Sequence, residues 1–281
     1  MRLEALGVPF EAREEADFSW LSVYGRVLRV YDGLTSGNLV FCMDGPYGRL
    51  KVKFAGIRTL NCASQPIVAV RHLEQAMQVY SFRHEAFPEL LSCGPVNDGT
   101  GYAAVFRWME GVCLHPYPYD PAPLDLLSRQ SLHSRLRMAD AMLEMHVCLA
   151  ERGYAASNFH DGNLIYDHDR GVLSLCSADR YLKMPAVNDQ GRMHGSGRFM
   201  APEEHLGGER IDEKTTVYNL GMLLFELFGD MEKRDPGTWI AGRGTYETAL
   251  RACDRRREAR FATVDALLTS WRRAVGEISG I

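Results

Sequence analysis

The spacing of apolar residues changes character once along this chain. Residues 24–60 carry short apolar runs, "YGRVLRVYDG", "NLVFCMDG" and "GRLKVKFAG", two of them closed by the turn pair Asp-Gly. That pattern predicts a meander of three strands. Val70, Leu73, Met77 and Tyr80 then recur at helical spacing, which predicts a helix from about Pro66 to Arg83. "GYAAVFRWMEG" reads as a further strand ending at Gly111. The Pro-rich "HPYPYDPAP" breaks regular structure and divides the chain.

After that break the pattern is helical. Leu132, Leu136, Ala139, Leu143, His146 and Ala150 share one helical face, with Gly153 placed as a C-cap. "NLIYD-HDRG-VLSLC" reads as a hairpin. "TTVYNLGMLLFELFG" is apolar nearly all round, as a helix buried inside a larger domain would be. The expectation is an α+β chain: an extension over residues 1–22, a small β-rich lobe over 23–111 and a larger helical lobe over 112–281. A cleft between two lobes is a common ligand site.

Composition narrows the classes. The chain has 281 residues, 46% hydrophobic and 24% charged, as expected of an ordinary globular protein. A net charge of -4 gives no electrostatic case for a nucleic-acid partner. Seven cysteines without CxxC pairs suit small buried residues in a reducing compartment. "MRLEALGVPFEAREEADF" carries acids where a signal peptide needs an apolar core. No run approaches the roughly 18 apolar residues of a membrane span. A cytoplasmic protein without a membrane partner is expected.

Candidate chemistry sits at ordered positions. "DGLTSGNLVF" contains Gly33 and Gly37 in a turn that could cradle phosphates, although an ordinary hairpin turn is the commoner meaning. "LKVKFAG" puts Lys53 on a strand beside Lys51. "AAVFRWMEG" is a strand end around Phe106, Arg107 and Met109. "GYAASNFHDGNLIYD" carries Asn158, His160, Asp161 and Asn163, and "LSLCSADRY" carries Ser177 and Asp179. "GSGRFMAPEEHL" and "RRREARFATVDAL" offer Glu203 and Arg260.

In this order, from about Val23 to Trp271, the stretches resemble the bacterial protein kinase-like family of Hanks-type serine/threonine kinases. The resemblance implies a two-lobed protein kinase-like fold that binds a nucleotide, ATP with Mg²⁺, and meets a protein partner or substrate. Gly33 and Gly37 would then belong to the phosphate-covering loop, and Lys53 would pair with the α- and β-phosphates. Backbone groups from Phe106 to Met109, Arg107 included, would meet the adenine edge. The acidic partner of the lysine falls on Gln75 or its neighbour Glu74.

The same resemblance places the catalytic base five positions before the metal-binding Asn163, where Asn158 stands. A carboxamide cannot take a proton at physiological pH. The magnesium-binding acid falls on Ser177, or on Asp179 if the register shifts by two. Ala201-Pro202-Glu203 matches the end of the activation segment, with Glu203 paired to a buried Arg260, and Thr216 replaces a buried acid that anchors the catalytic loop.

Three functions follow. The first is a pseudokinase that binds a nucleotide or protein. The second is an active serine/threonine kinase using Asp161 and Asp179, or one in which Asn158 is an engineered replacement of a natural Asp. The third is a small-molecule phosphotransferase, since "NFHDGNLIYD" also resembles the aminoglycoside and choline kinase loop; Glu203 and Arg260 favour the protein-kinase reading.

Overall fold

The structure, a computed structural model, describes residues 1–116, 119–157, 159–189, 191–193 and 195–279. Two compact units emerge, Met1–Arg83 with Pro88–Met109, and His84–Phe87 with Glu110–Ile281.

The first unit is built on an antiparallel sheet. Strands β1 (Arg2–Ala5) and β2 (Val8–Glu11) form a separate hairpin. Strands β3 (Arg26–Tyr31), β4 (Leu39–Gly45) and β5 (Gly48–Ala55) make the expected meander. Helix α1 (Pro66–Tyr80) follows, then β6 (Leu90–Val96) and β7 (Gly101–Arg107), giving the sheet order β3-β4-β5-β7-β6. Gly25 and Gly45 let β3 and β4 cross closely: a Cβ on Gly25 would lie 2.3 Å from the Asp44 carbonyl oxygen.

The period of two along β5 splits its side chains between two environments. Leu50, Val52 and Phe54 enter a core with Phe10, Phe18, Leu21, Val27 and Phe41. The Phe18 ring lies 5.4 Å from each of Phe10, Phe41 and Phe54. Residues 1–22 are thus part of this core and not an appendage. Lys51 and Lys53 take the other face, where Tyr80 of α1 meets Phe106 at 4.7 Å. The helix ends at Tyr80, short of Arg83. Strand β6 gave no sequence signal because Gly94 and Pro95 interrupt it; as an edge strand it tolerates both.

The second unit begins with β8 (Val112–Cys113), α2 (Ala122–Ser128) and α3 (Leu132–Glu151). Ser131 caps α3 through its hydroxyl, and Gly153 follows the helix at φ 77°. Short strands β9 (Tyr154–Ala155), β10 (Leu164–Asp167) and β11 (Val172–Leu175) come next, with β10 and β11 forming the expected hairpin. Strands β12 (Leu182–Lys183), β13 (Ala186–Val187) and β14 (Arg210–Ile211) are two-residue pairings. Helix α4 (Glu213–Phe228) is buried at every position except Glu213, Lys214 and Glu226. Gly221 permits its approach to the end of α5 (Arg243–Ala252): a Cβ there would sit 2.9 Å from Ala252 Cβ. Helix α6 (Val264–Ser279) packs against α3 and places Trp271 5.3 Å from Phe228.

A β-rich N-terminal part and a helical C-terminal part are the α+β arrangement expected of a two-lobed kinase-like fold. Among the described residues no helix is long and apolar enough to cross a membrane.

Candidate functional site

In the first unit, β5 points Lys53 inward, and its side chain is almost fully buried. The ammonium donates to the Tyr80 hydroxyl at 3.2 Å and lies 5.4 Å and 5.8 Å from the Tyr80 and Phe106 ring centres. Aromatic faces and a hydroxyl surround the cation there, and Glu74 and Gln75 of α1 both face solvent.

The turn carrying Gly33 and Gly37 is tied down by its surroundings. Asp32 accepts the Glu11 N–H at 2.6 Å, and Asn61 donates to the Gly33 carbonyl at 2.9 Å. A Cβ on Gly37, at φ 81°, would lie 3.0 Å from Ala69 and 3.1 Å from the Cys62 sulfur. At the end of β7 the N–H of Arg107 donates to Glu89 and that of Trp108 to Arg49. Arg107 also pairs with the Glu89 carboxylate at 2.6 Å. The Met109 N–H remains without a protein acceptor among the described residues.

In the second unit, the loop between β9 and β10 is pinned from α4. The Thr216 hydroxyl accepts the Ala156 N–H at 2.8 Å, both groups being buried. The replacement of an acid by Thr216 was expected to weaken this anchor; the hydroxyl keeps one bond to the loop. Asn158 lies outside the described residues. Asn163 closes the turn that follows, its carboxamide oxygen accepting the His160 N–H at 3.2 Å.

Asp161 is the centre of this region, with no exposed side-chain surface. Its Oδ1 accepts the Gly162 N–H at 3.0 Å. Its Oδ2 accepts from Arg198 Nη2 and lies 3.4 Å from His115 Nδ1. Burial would raise this carboxyl, but bonding to His160 and the Arg198 and His115 charges outweigh it and hold the group below the usual carboxylate range. Arg198 also reaches Glu226 of α4, 3.6 Å from its Nη1. Burial, reinforced by Asp161 and opposed by Arg198, pushes Glu226 up to about 7. His160 Nδ1 lies 3.0 Å from the Gly162 nitrogen and 3.6 Å from Asp161 Oδ1.

Ser177 and Asp179 are half-buried in the turn after β11. That turn is fastened through Tyr181, whose hydroxyl meets His146 Nε2 at 2.7 Å, while His146 Nδ1 donates to the Met142 carbonyl at 2.7 Å. Burial pushes His146 down to about 4, so it sits here as a neutral ring. Among the described residues no cluster of His, Cys, Asp or Glu could hold a metal ion. Asn163 closes its own turn and Asp161 pairs with a guanidinium, which leaves the half-buried Asp179 as the carboxylate among the metal positions named from the sequence.

The structure brings Glu203 and Arg260 together. Arg260 Nη1 and Nη2 meet the two carboxylate oxygens at 2.7 Å and 3.1 Å, a bidentate pair shielded from solvent. Arg257 and the Thr215 hydroxyl add bonds at 2.8 Å and 3.0 Å. Burial would raise Glu203, but Arg260 outweighs it and holds the carboxyl below its ordinary value.

No family model matches the chain. It is similar to serine/threonine-protein kinase 1 of African swine fever virus (isolate Tick/Malawi/Lil 20-1/1983), 21% identical over 147 residues. That match covers 50% of this chain and 49% of the viral protein, so the chain spans about half the length of this curated relative. The similarity hints at a kinase-like relationship and goes no further.

Sequence reading missed Arg198, Glu226 and His115. A lone arginine in a Gly-Ser-Gly run has no periodicity to mark it, and its partners lie 37 and 28 positions away.

Proposed function

We propose that this chain is a protein kinase-like, nucleotide-binding protein whose phosphoryl transfer is absent or strongly impaired. The observation that carries the reading is the engagement of Asp161. With Asn at 158 and Ser at 177, Asp161 is the nearest loop carboxylate able to serve as a base, and Arg198, His115 and the Gly162 N–H already occupy both its oxygens. Loss of general-base help alone lowers a rate by about 100- to 10,000-fold. The likeness to a viral serine/threonine kinase supports the kinase-like part of this reading.

A buried ammonium at Lys53 and a spare Met109 N–H support nucleotide binding. Ser177, where the resemblance expects the magnesium-binding acid, favours binding that does not depend on the metal. Protein partners, in place of phosphorylated substrates, are the expected output.

Thermal shift with ATP, with and without Mg²⁺, tests the reading beside radiolabelled phosphate transfer to a generic protein substrate. The expected result is a shift that survives chelation, disappears in Lys53→Ala and comes without transfer. Sustained turnover by the unaltered chain would overturn it.

A further inference from the structure

Glu204 follows the Glu203 anchor in a short 3-10 turn, Pro202–His205, and is fully buried. Its Oε2 accepts the Ala201 N–H at 2.7 Å and one Asn219 Nδ2 hydrogen at 2.8 Å. The other Nδ2 hydrogen goes to the Phe199 carbonyl, also at 2.8 Å, which fixes the orientation of the Asn219 amide. Two acceptors in this cluster have no donor: Glu204 Oε1 and Asn219 Oδ1, each on a side chain without solvent exposure. Buried polar atoms are nearly always satisfied, so two orphans on one bonded pair call for an explanation.

A single proton supplies it. A carboxylic acid and a carboxamide join in a ring of two hydrogen bonds, one N–H to the acid carbonyl and one O–H to the amide oxygen. The first of these bonds is already in place. We infer that Glu204 is held as a neutral acid donating from Oε1 to Asn219 Oδ1, and that loss of this proton on the alkaline side unlocks the segment ending at the Glu203 anchor.

The surroundings agree. Among the described residues no cation contacts Glu204 directly; the charges acting on it are Glu203 from its own turn and Arg260 from the stretch before α6, which is already committed to Glu203. Arg257 and Asp212 lie beyond, paired with each other at 2.5 Å. Burial is the main reason the carboxyl is pushed up to about 7. Once ionised, the group would leave Oε1 as a buried charge beside like-charged Glu203. The bonds at stake hold the segment directly: Ala201 N–H on Oε2, Met193 N–H on the Glu204 carbonyl at 2.8 Å, and Phe199 through Asn219.

Site-resolved hydrogen exchange on the full chain tests this, read as protection factors for the Met193 and Ala201 amides. Protection should fall by about tenfold for each pH unit between the ordinary glutamate value and the Glu204 midpoint, and level off above it. In Glu204→Gln the amide donates permanently to Asn219 Oδ1, so protection should stay flat across the same range. Carbon-13 NMR of the glutamate carboxyls, assigned by loss of one signal in that variant, gives a direct second reading. A Glu204 carboxyl titrating near the ordinary glutamate value would overturn the inference, as would unchanged pH dependence in Glu204→Gln.

Discussion

Arg198 closes over the buried carboxylate of Asp161 and so fixes the loop that begins at the Thr216 anchor. Removing the guanidinium leaves an enclosed carboxylate with two histidines, His115 and His160, and the Gly162 N–H. Arg198→Ala should cost about 1–3 kcal/mol, less than a fully enclosed pair because the arginine is 37% exposed. Asp161 ionises in the folded chain below its unfolded value, so its contribution is present above the ordinary aspartate pKa and fades as pH falls. The variant should therefore lose this acid-side dependence in urea titrations.

Placing acids at both positions tests the proposed loss of phosphoryl transfer. Asn158→Asp with Ser177→Asp should raise radiolabelled transfer above background, while each single change stays near it, because the proton acceptor and the metal ligand serve one step. Unchanged transfer in the double variant would count against these two positions as its cause.

Thr216 offers a sharper probe of the loop. Thr216→Val keeps the shape and deletes the acceptor, stranding the buried Ala156 N–H at a cost of about 1–3 kcal/mol by chemical denaturation. Thr216→Ser should recover most of that loss.

Glu203 and Arg260 should behave as one unit. Either single alanine substitution should cost about 3–5 kcal/mol by leaving its partner charged and buried. The double substitution should cost much less than the sum, read from a double-mutant cycle.

Glu226 sets an alkaline liability. Its folded pKa is raised to about 7, so the folded chain holds an extra proton between the ordinary glutamate value and that point. Stability must fall as pH climbs through this window and level off above it. Glu226→Gln should remove this group's share of the slope and leave that of Glu204, matching the parent near pH 4.5 and exceeding it by about 1–3 kcal/mol at pH 8. Denaturant midpoints across that range check the sign.

The legible parts of this molecule were those written in local spacing. The meander, the α3 face and the all-round apolar α4 follow from periodicities that packing had no cause to override. Glu203 and Arg260 could be paired because each stands in a recognisable stretch. Strand β6 was hidden by Gly94 and Pro95, which read as turn residues until a neighbouring strand supplies half the bonds. The Arg198 and Glu204 clusters were invisible for a different reason. Their meaning lies in which atoms find a partner and which, as in the Glu204 cluster, do not, and that emerges only when distant segments are folded together.

The ring of Phe18 links the opening hairpin to the sheet through Phe10, Phe41 and Phe54. A version trimmed to begin at the kinase-like stretch near Val23 would bare two phenylalanines of the meander to water. Such a fragment should precipitate or bind other proteins indiscriminately, and any partner captured with it would report the wound and not the molecule.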